Sequence, residues 1–158
     1  DTLRKLAAGI FNTIETDDYT FAPADEANKV FITVSIAVPF FLEFVRGTPF
    51  LPIFLRLMGV KIGKMTYLDS TDITEFDLVE IGDFSTINFD AGPQTHLFED
   101  RIMKIGSVKI GQNTSIGART VILFDTEIGN GCRLSALSLV MKGEKIPSNT
   151  SWSGIPIK

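Results

Sequence analysis

The sequence predicts a mainly β protein: a parallel β-helix built on a six-residue repeat and headed by a helical segment. Two observations predict it. Reading from Ile110 in steps of six gives Ile110, Ile116, Ile122, Ile128, Leu134, Val140, Ile146 and Trp152, all apolar. In a chain with 44% hydrophobic residues, eight in succession arise by chance about once in 700 trials of one frame. A second series falls four places after the first: Thr114, Thr120, Thr126, Cys132, Ser138, Glu144 and Thr150, all small except Glu144. A helix would space its apolar residues by three and four, and a half-buried strand would alternate by two. A period of six describes a short strand followed by a corner, and three such sides close one coil. The aliphatic residue points inward, and the small residue fits where the interior narrows. One coil cannot bury its own core, so stacking supplies the stability.

The period extends towards the N-terminus with two interruptions. Ile62 and Leu68 are one repeat apart, as are Ile81 and Ile87. The step from Ile62 to Ile81 is one regular coil and one residue more. The step from Ile81 to Ile110 exceeds a regular coil by about 11 residues, which are looped out. The expected division is therefore a helical segment and cap over 1–58 and a β-helix over 59–158, with an extruded loop at about 93–107. Within the first part, Leu3, Leu6, Ala7, Ile10, Phe11 and Ile14 share a helical face. A second helix is expected from about Ala27 to Val45, and RGTPFLP, Arg46 to Pro52, breaks it. Leu51 to Met58 is expected to cover the open end of the first coil, which otherwise exposes core and sheet edge.

Composition narrows the function. The net charge of -4, with no basic stripe, disfavours nucleic acid. The single cysteine, Cys132, forms no internal disulfide and fits a reducing compartment or a domain that never needed a bridge. No secretory signal is evident. Val30 to Leu42 is uncharged for 13 residues, short of the about 20 that span a bilayer. Burial is its expected role, with membrane proximity second.

The looped-out stretch QTHLFEDR, Gln94 to Arg101, carries His96, the only histidine. Loops on rigid scaffolds often carry function. With no second histidine and no cysteine pair, a zinc site is not expected. Cys132 occupies a small-residue slot and is expected to be packed. General base chemistry remains, and an imidazole suits it near neutral pH.

THLFEDR, KIGQNTSIGARTVI and the terminal WSGIP resemble the hexapeptide acyltransferases, which include the maltose, galactoside and xenobiotic acetyltransferases. The blocks RGTPFLPIFLRLMGVKIG, TDITEFDLVEIGD, QTHLFED and LSLVMKGEKIP further resemble the acetyltransferase-like condensation domains of ε-poly-L-lysine synthetase and similar nonribosomal peptide synthetases. The likeness runs from about Val38 to Pro156. It implies a left-handed coil, a hand the spacing alone does not settle. It also implies amide-bond formation, peptide or isopeptide, between a carrier-bound aminoacyl or peptidyl thioester and an amine such as that of lysine.

On this likeness His96 is the general base. Thr95, Glu99 and Asp100 are the substrate-side candidates, and Asn88 joins them by position: it falls just after Ile87, outside the corner pattern, and is expected to face the same cleft. Glu99 and Asp100 either draw in the ammonium and fix the histidine tautomer, or form a solvated acidic loop paired with Arg101. No tightly bound cofactor is expected. The donor is a carrier's phosphopantetheine thioester, with coenzyme A the alternative, and Lys142, Lys145 and Lys158 are the cations available to either. Expected partners are a carrier domain, the amino acid substrate, and sister β-helix domains or a homotrimer. The expected setting is the cytoplasmic part of a membrane-associated synthetase. A coenzyme A-dependent N- or O-acetyltransferase and a catalytically silent scaffold are the competing readings.

Overall fold

The computed structural model describes residues 42–99 and 101–158. The expected first helix, and the second up to residue 41, lie outside these residues, as does Asp100.

Three parallel sheets carry the coil. The first stacks Lys61–Ile62, Val79–Ile81, Val108–Ile110, Thr126–Ile128 and Lys145–Ile146. The second stacks Tyr67–Leu68, Thr86–Ile87, Ser115–Ile116, Arg133–Leu134 and Ser151–Trp152. The third stacks Gly92–Gln94, Val121–Leu123 and Leu139–Val140. Pairing follows the coil length. Ile62 pairs with Ile81, Ile81 with Ile110 across the looped-out segment, and Ile110 with Ile128. Like residues therefore stack on like, and the apolar series fills the interior: Ile116, Ile122 and Val140 are fully buried, and Ile110, Ile128, Leu134 and Ile146 nearly so. Cys132 is also buried, with its thiol against the Pro147 carbonyl.

The small-residue slots have a hydrogen-bonding role as well as a steric one. Thr114, Thr120 and Thr126 are buried, and their hydroxyls donate to the carbonyls of Gly129, Ser135 and Met141. Each ties its corner to another backbone segment and leaves its own buried oxygen paired. Gly117 is needed because coils approach closely there: a Cβ would lie 2.3 Å from the Ala136 nitrogen.

The corners require left-handed backbone. At one corner, Met65, Phe84, Asn113, Gly131 and Asn149 recur with φ between 52° and 67°. At the next, Asp90, Arg119 and Leu137 have φ between 49° and 57°. Holding a residue with a Cβ there costs about 1 kcal/mol or more, and the ladder of interstrand hydrogen bonds enforces it.

The outer face of the first sheet carries an alternating column: Lys61, Glu80, Lys109, Glu127 and Lys145. Ion-pair distances along it are 3.9 Å for Lys61–Glu80, 3.9 Å for Lys109–Glu127 and 3.3 Å for Lys145–Glu127. Such exposed pairs add only about 0.2–1 kcal/mol each.

The first coil is capped by helix α1, Phe50–Met58. Leu51 and Leu55, one turn apart, are fully buried. Gly59, at φ 119°, ends the helix and turns its N–H back to the Leu55 and Arg56 carbonyls. The Arg56 guanidinium reaches the Ile62 and Gly63 carbonyls of the first coil. Before α1, the helical residues 42–45 lead to Arg46. It pairs with Glu43, Asp69 and Asp90 and stacks over Phe89 at 4.6 Å.

Leu137 is 61% exposed at φ 57°. Leu137→Asn is expected to raise stability by up to about 1 kcal/mol, because asparagine tolerates the left-handed region better. A urea midpoint lower than wild type would contradict this account of the corner.

Candidate active site

The coil is interrupted after Gln94. Gly92–Gln94 still pairs with Val121–Leu123 in the third sheet, and Thr95 remains 1% exposed. From there the chain leaves as an antiparallel hairpin, His96–Glu99 against Ile102–Ile105. It returns at Gly106, whose N–H donates to the Thr95 carbonyl at 2.9 Å. The root is tight: a Cβ at Gly106 would lie 2.2 Å from the Asp125 carboxylate. His96 pairs with Ile105 and Phe98 with Met103, so strand alternation sets these four on one face. The His96 and Phe98 rings meet edge to face, 6.1 Å apart. Phe98, Met103 and Ile105 are exposed, so the face beside the imidazole is apolar and open.

Behind the imidazole stands Glu75. It belongs to the preceding coil, and one turn of the coil brings it alongside. Glu75 Oε1 lies 2.9 Å from His96 Nδ1, with both side chains about three-quarters buried. The Nδ1 atom is itself buried, and its N–H points off the line to the carboxylate. The contact is thus a close ion-pair geometry rather than an aligned hydrogen bond. Thr95 and Thr74 donate their hydroxyls to the other oxygen, Oε2. Burial works to raise the Glu75 carboxyl, but the hydrogen bonds from Thr74 and Thr95, with the His96 imidazolium close beside it, outweigh it. The group is held below the usual 4.5. A carboxylate facing Nδ1 favours the proton there, which leaves the Nε2 lone pair available.

The structure brings a residue to the imidazole that the sequence did not single out: among the described contacts, Glu75 is the carboxylate that faces Nδ1. Glu99 ends the outgoing strand, opposite Ile102, and Asp100 lies outside the described residues. Thr95 is buried, and its hydroxyl donates to Glu75. Asn88 uses its amide within the coil, donating to the Ile116 carbonyl at 2.6 Å. Lys145 belongs to the charged column on the first sheet. The sequence does carry a signal for Glu75: the segment about one coil before Thr95 and His96 is TEF, Thr74 to Phe76.

Among the described residues, no group of three or more His, Cys, Asp or Glu side chains is placed to hold a metal. An open groove of about 640 Å³ lies between α1 and the first coil, lined by Arg56, Ile62, Lys64, Met65 and Asp83 among others. It includes neither His96 nor Glu75.

Known structures share this architecture. The hexapeptide-repeat acetyltransferase VCA0836 of Vibrio cholerae matches with a TM-score of 0.56 at 19% identity, covering 99% of this chain and 88% of that one. Its complex with acetyl coenzyme A matches with a TM-score of 0.58 at 16% identity, over 87% and 90%. The fold is that of the hexapeptide-repeat transferases. In sequence, the chain is 54% identical over 122 residues to the delta-poly-L-ornithine synthetase of Acinetobacter baumannii strain AB307-0294. That match takes in 77% of this chain but only 9% of the synthetase. A Bacillus subtilis strain 168 protein, YvoF, assigned by its name to the acetyltransferases, is 29% identical over 147 residues, 89% of this chain and 80% of its own. No family model matches the chain.

A carboxyl lowered by folding stabilises fully above its unfolded value, here near 4.5, and that contribution is lost as pH falls through the lowered folded value. Glu75→Gln should therefore flatten the acid limb of the stability profile. Urea midpoints over about pH 3 to about pH 6 test this. Parallel profiles for the two proteins would show that the carboxylate is not held ionised by the fold.

Proposed function

We propose that this chain is the acyltransferase-type condensation domain of a larger synthetase, a left-handed coil that forms amide bonds with His96 as general base. The observation that carries the reading is the Glu75–His96 contact. The imidazole is backed by a carboxylate on Nδ1 and stands at the root of a hairpin whose apolar face is open. The acceptor is the amine of a dibasic amino acid, lysine or its shorter homologue ornithine, and the name of the Acinetobacter relative favours ornithine.

The donor is an aminoacyl or peptidyl thioester on a carrier's phosphopantetheine arm. The acceptor ammonium, with a pKa of ~10.4, must reach the site as the free amine. Its nitrogen attacks the thioester carbonyl while Nε2 of His96 takes the proton. The Glu75 carboxylate stabilises the imidazolium that forms. The tetrahedral oxyanion then collapses, the C–N bond is kept, the C–S bond breaks, and the imidazolium returns its proton to the departing thiolate. Holding donor and acceptor together removes much of the entropic barrier.

A filled interior leaves the imidazole on a side wall. A sister coil, from the same polypeptide or a homotrimer, would supply the facing wall over Phe98, Met103 and Ile105. Among the described residues no helix is long and apolar enough to cross a membrane. Phe50, Ile53 and Leu57 lie exposed along α1 and support a setting against the membrane-associated part of a synthetase, on its cytoplasmic side. A coenzyme A-dependent transferase is the second reading, favoured by the Vibrio structure with acetyl coenzyme A.

His96→Ala is expected to lower transfer by about 100- to 10,000-fold with an unchanged circular dichroism spectrum. The donor is tested by offering acetyl coenzyme A, ornithyl coenzyme A and ornithyl carrier protein to free ornithine and to lysine. Carrier-bound thioester should react fastest. Faster transfer from either coenzyme A thioester would establish the second reading, and no transfer with sister domains supplied would make the chain a scaffold.

A further inference from the structure

We propose that Thr95 is the positioning residue of the base: its buried hydroxyl holds Oε2 of Glu75, so that Oε1 is presented to His96 Nδ1. The inference rests on the reading of His96 as the base and goes beyond it to what sets the tautomer.

Thr95 departs from the buried hydroxyls that close the corners of the coil. Thr66, Ser85, Thr114, Thr120 and Thr126 all donate to main-chain carbonyls. Their role is to close the coil. Thr95 alone of this set donates to a carboxylate, on a residue of the preceding coil. It is 1% exposed, and its β-branched side chain has few rotamers to choose from. Its carbonyl meanwhile accepts the Gly106 N–H that closes the hairpin root. One rigid residue thus anchors both the strand that begins with His96 and the carboxylate that His96 faces.

The need for an anchor follows from the carboxylate's own freedom. The terminal torsion of a glutamate is a broad, nearly free rotor. Thr74 also reaches Oε2, but it is exposed and adjacent in sequence to Glu75, so it moves with the segment it would have to hold. Thr95 is the donor fixed by the core.

The test uses the fact that His96 is the only histidine. In the whole chain labelled with nitrogen-15, the two ring nitrogens report the tautomer directly at a pH where the ring is neutral. Wild type and Thr95→Ser are expected to carry the proton on Nδ1. Thr95→Val, which keeps the shape and removes the donor, is expected to show a mixture of Nδ1–H and Nε2–H. Its turnover should fall on the order of 10-fold, with Thr95→Ser within about 2-fold of wild type.

A Thr95→Val protein that keeps the pure Nδ1–H form overturns the proposal, whether its rate falls or not. A wild-type ring with its proton on Nε2 overturns it whatever the variants do. Should Thr95→Val not fold, Thr95→Ala carries the same comparison. Failure of the base reading is a separate result: full turnover in His96→Ala refutes the base while leaving the tautomer measurement to judge the anchor.

Discussion

The backbone hydrogen bond from one coil to the next is the interaction on which the rest of the molecule depends. Gly82 donates to the Ile110 carbonyl, Gly111 to Ile128 and Gly129 to Ile146, each at 2.8–2.9 Å. Every such bond forces stacked residues to share a position and a direction. The aliphatic column then packs without choice of partner, and the corners must accept a left-handed residue even where it is Phe84 or Leu137. The strain at the corners is modest per residue. It is offset by a ladder in which each interior coil is paired on both sides.

The same ladder positions the chemistry. Glu75 and His96 are far apart in sequence, yet one turn of coil brings them to 2.9 Å. The hairpin departs from a residue that is still held in the wall, Thr95, and returns at Gly106 beside the Asp125 carboxylate. A flexible excursion would leave the imidazole free to wander. Here both strands of the hairpin are tied at the root, and the histidine is the first residue outside it. The placement of the imidazole thus comes from the scaffold beneath it.

The parallel coil is legible in the sequence because its signal is long. Eight apolar residues at a fixed period leave little room for another architecture. The two irregular steps follow from the same count, and the residues that bound them, Ile62, Ile81 and Ile110, are the ones that pair. The corner conformations are hidden, since nothing in the side chains of Met65, Phe84 or Leu137 announces a positive φ. Glu75 escapes for a different reason. Proximity along the chain favours Glu99 and Asp100 as partners of His96, whereas in a solenoid the nearest neighbour lies one coil away. The partner of Asn88 is hidden for the same reason: its amide donates to the Ile116 carbonyl, one coil on.

The charged column on the first sheet has an odd number of rungs. It begins at Lys61 and ends at Lys145, with the carboxylates of Glu80 and Glu127 between. Each carboxylate is therefore flanked by two ammonium groups, and none faces outward along the stack. Stacked parallel strands are the geometry of fibrils, and at the first coil helix α1 covers the edge that such stacking would use.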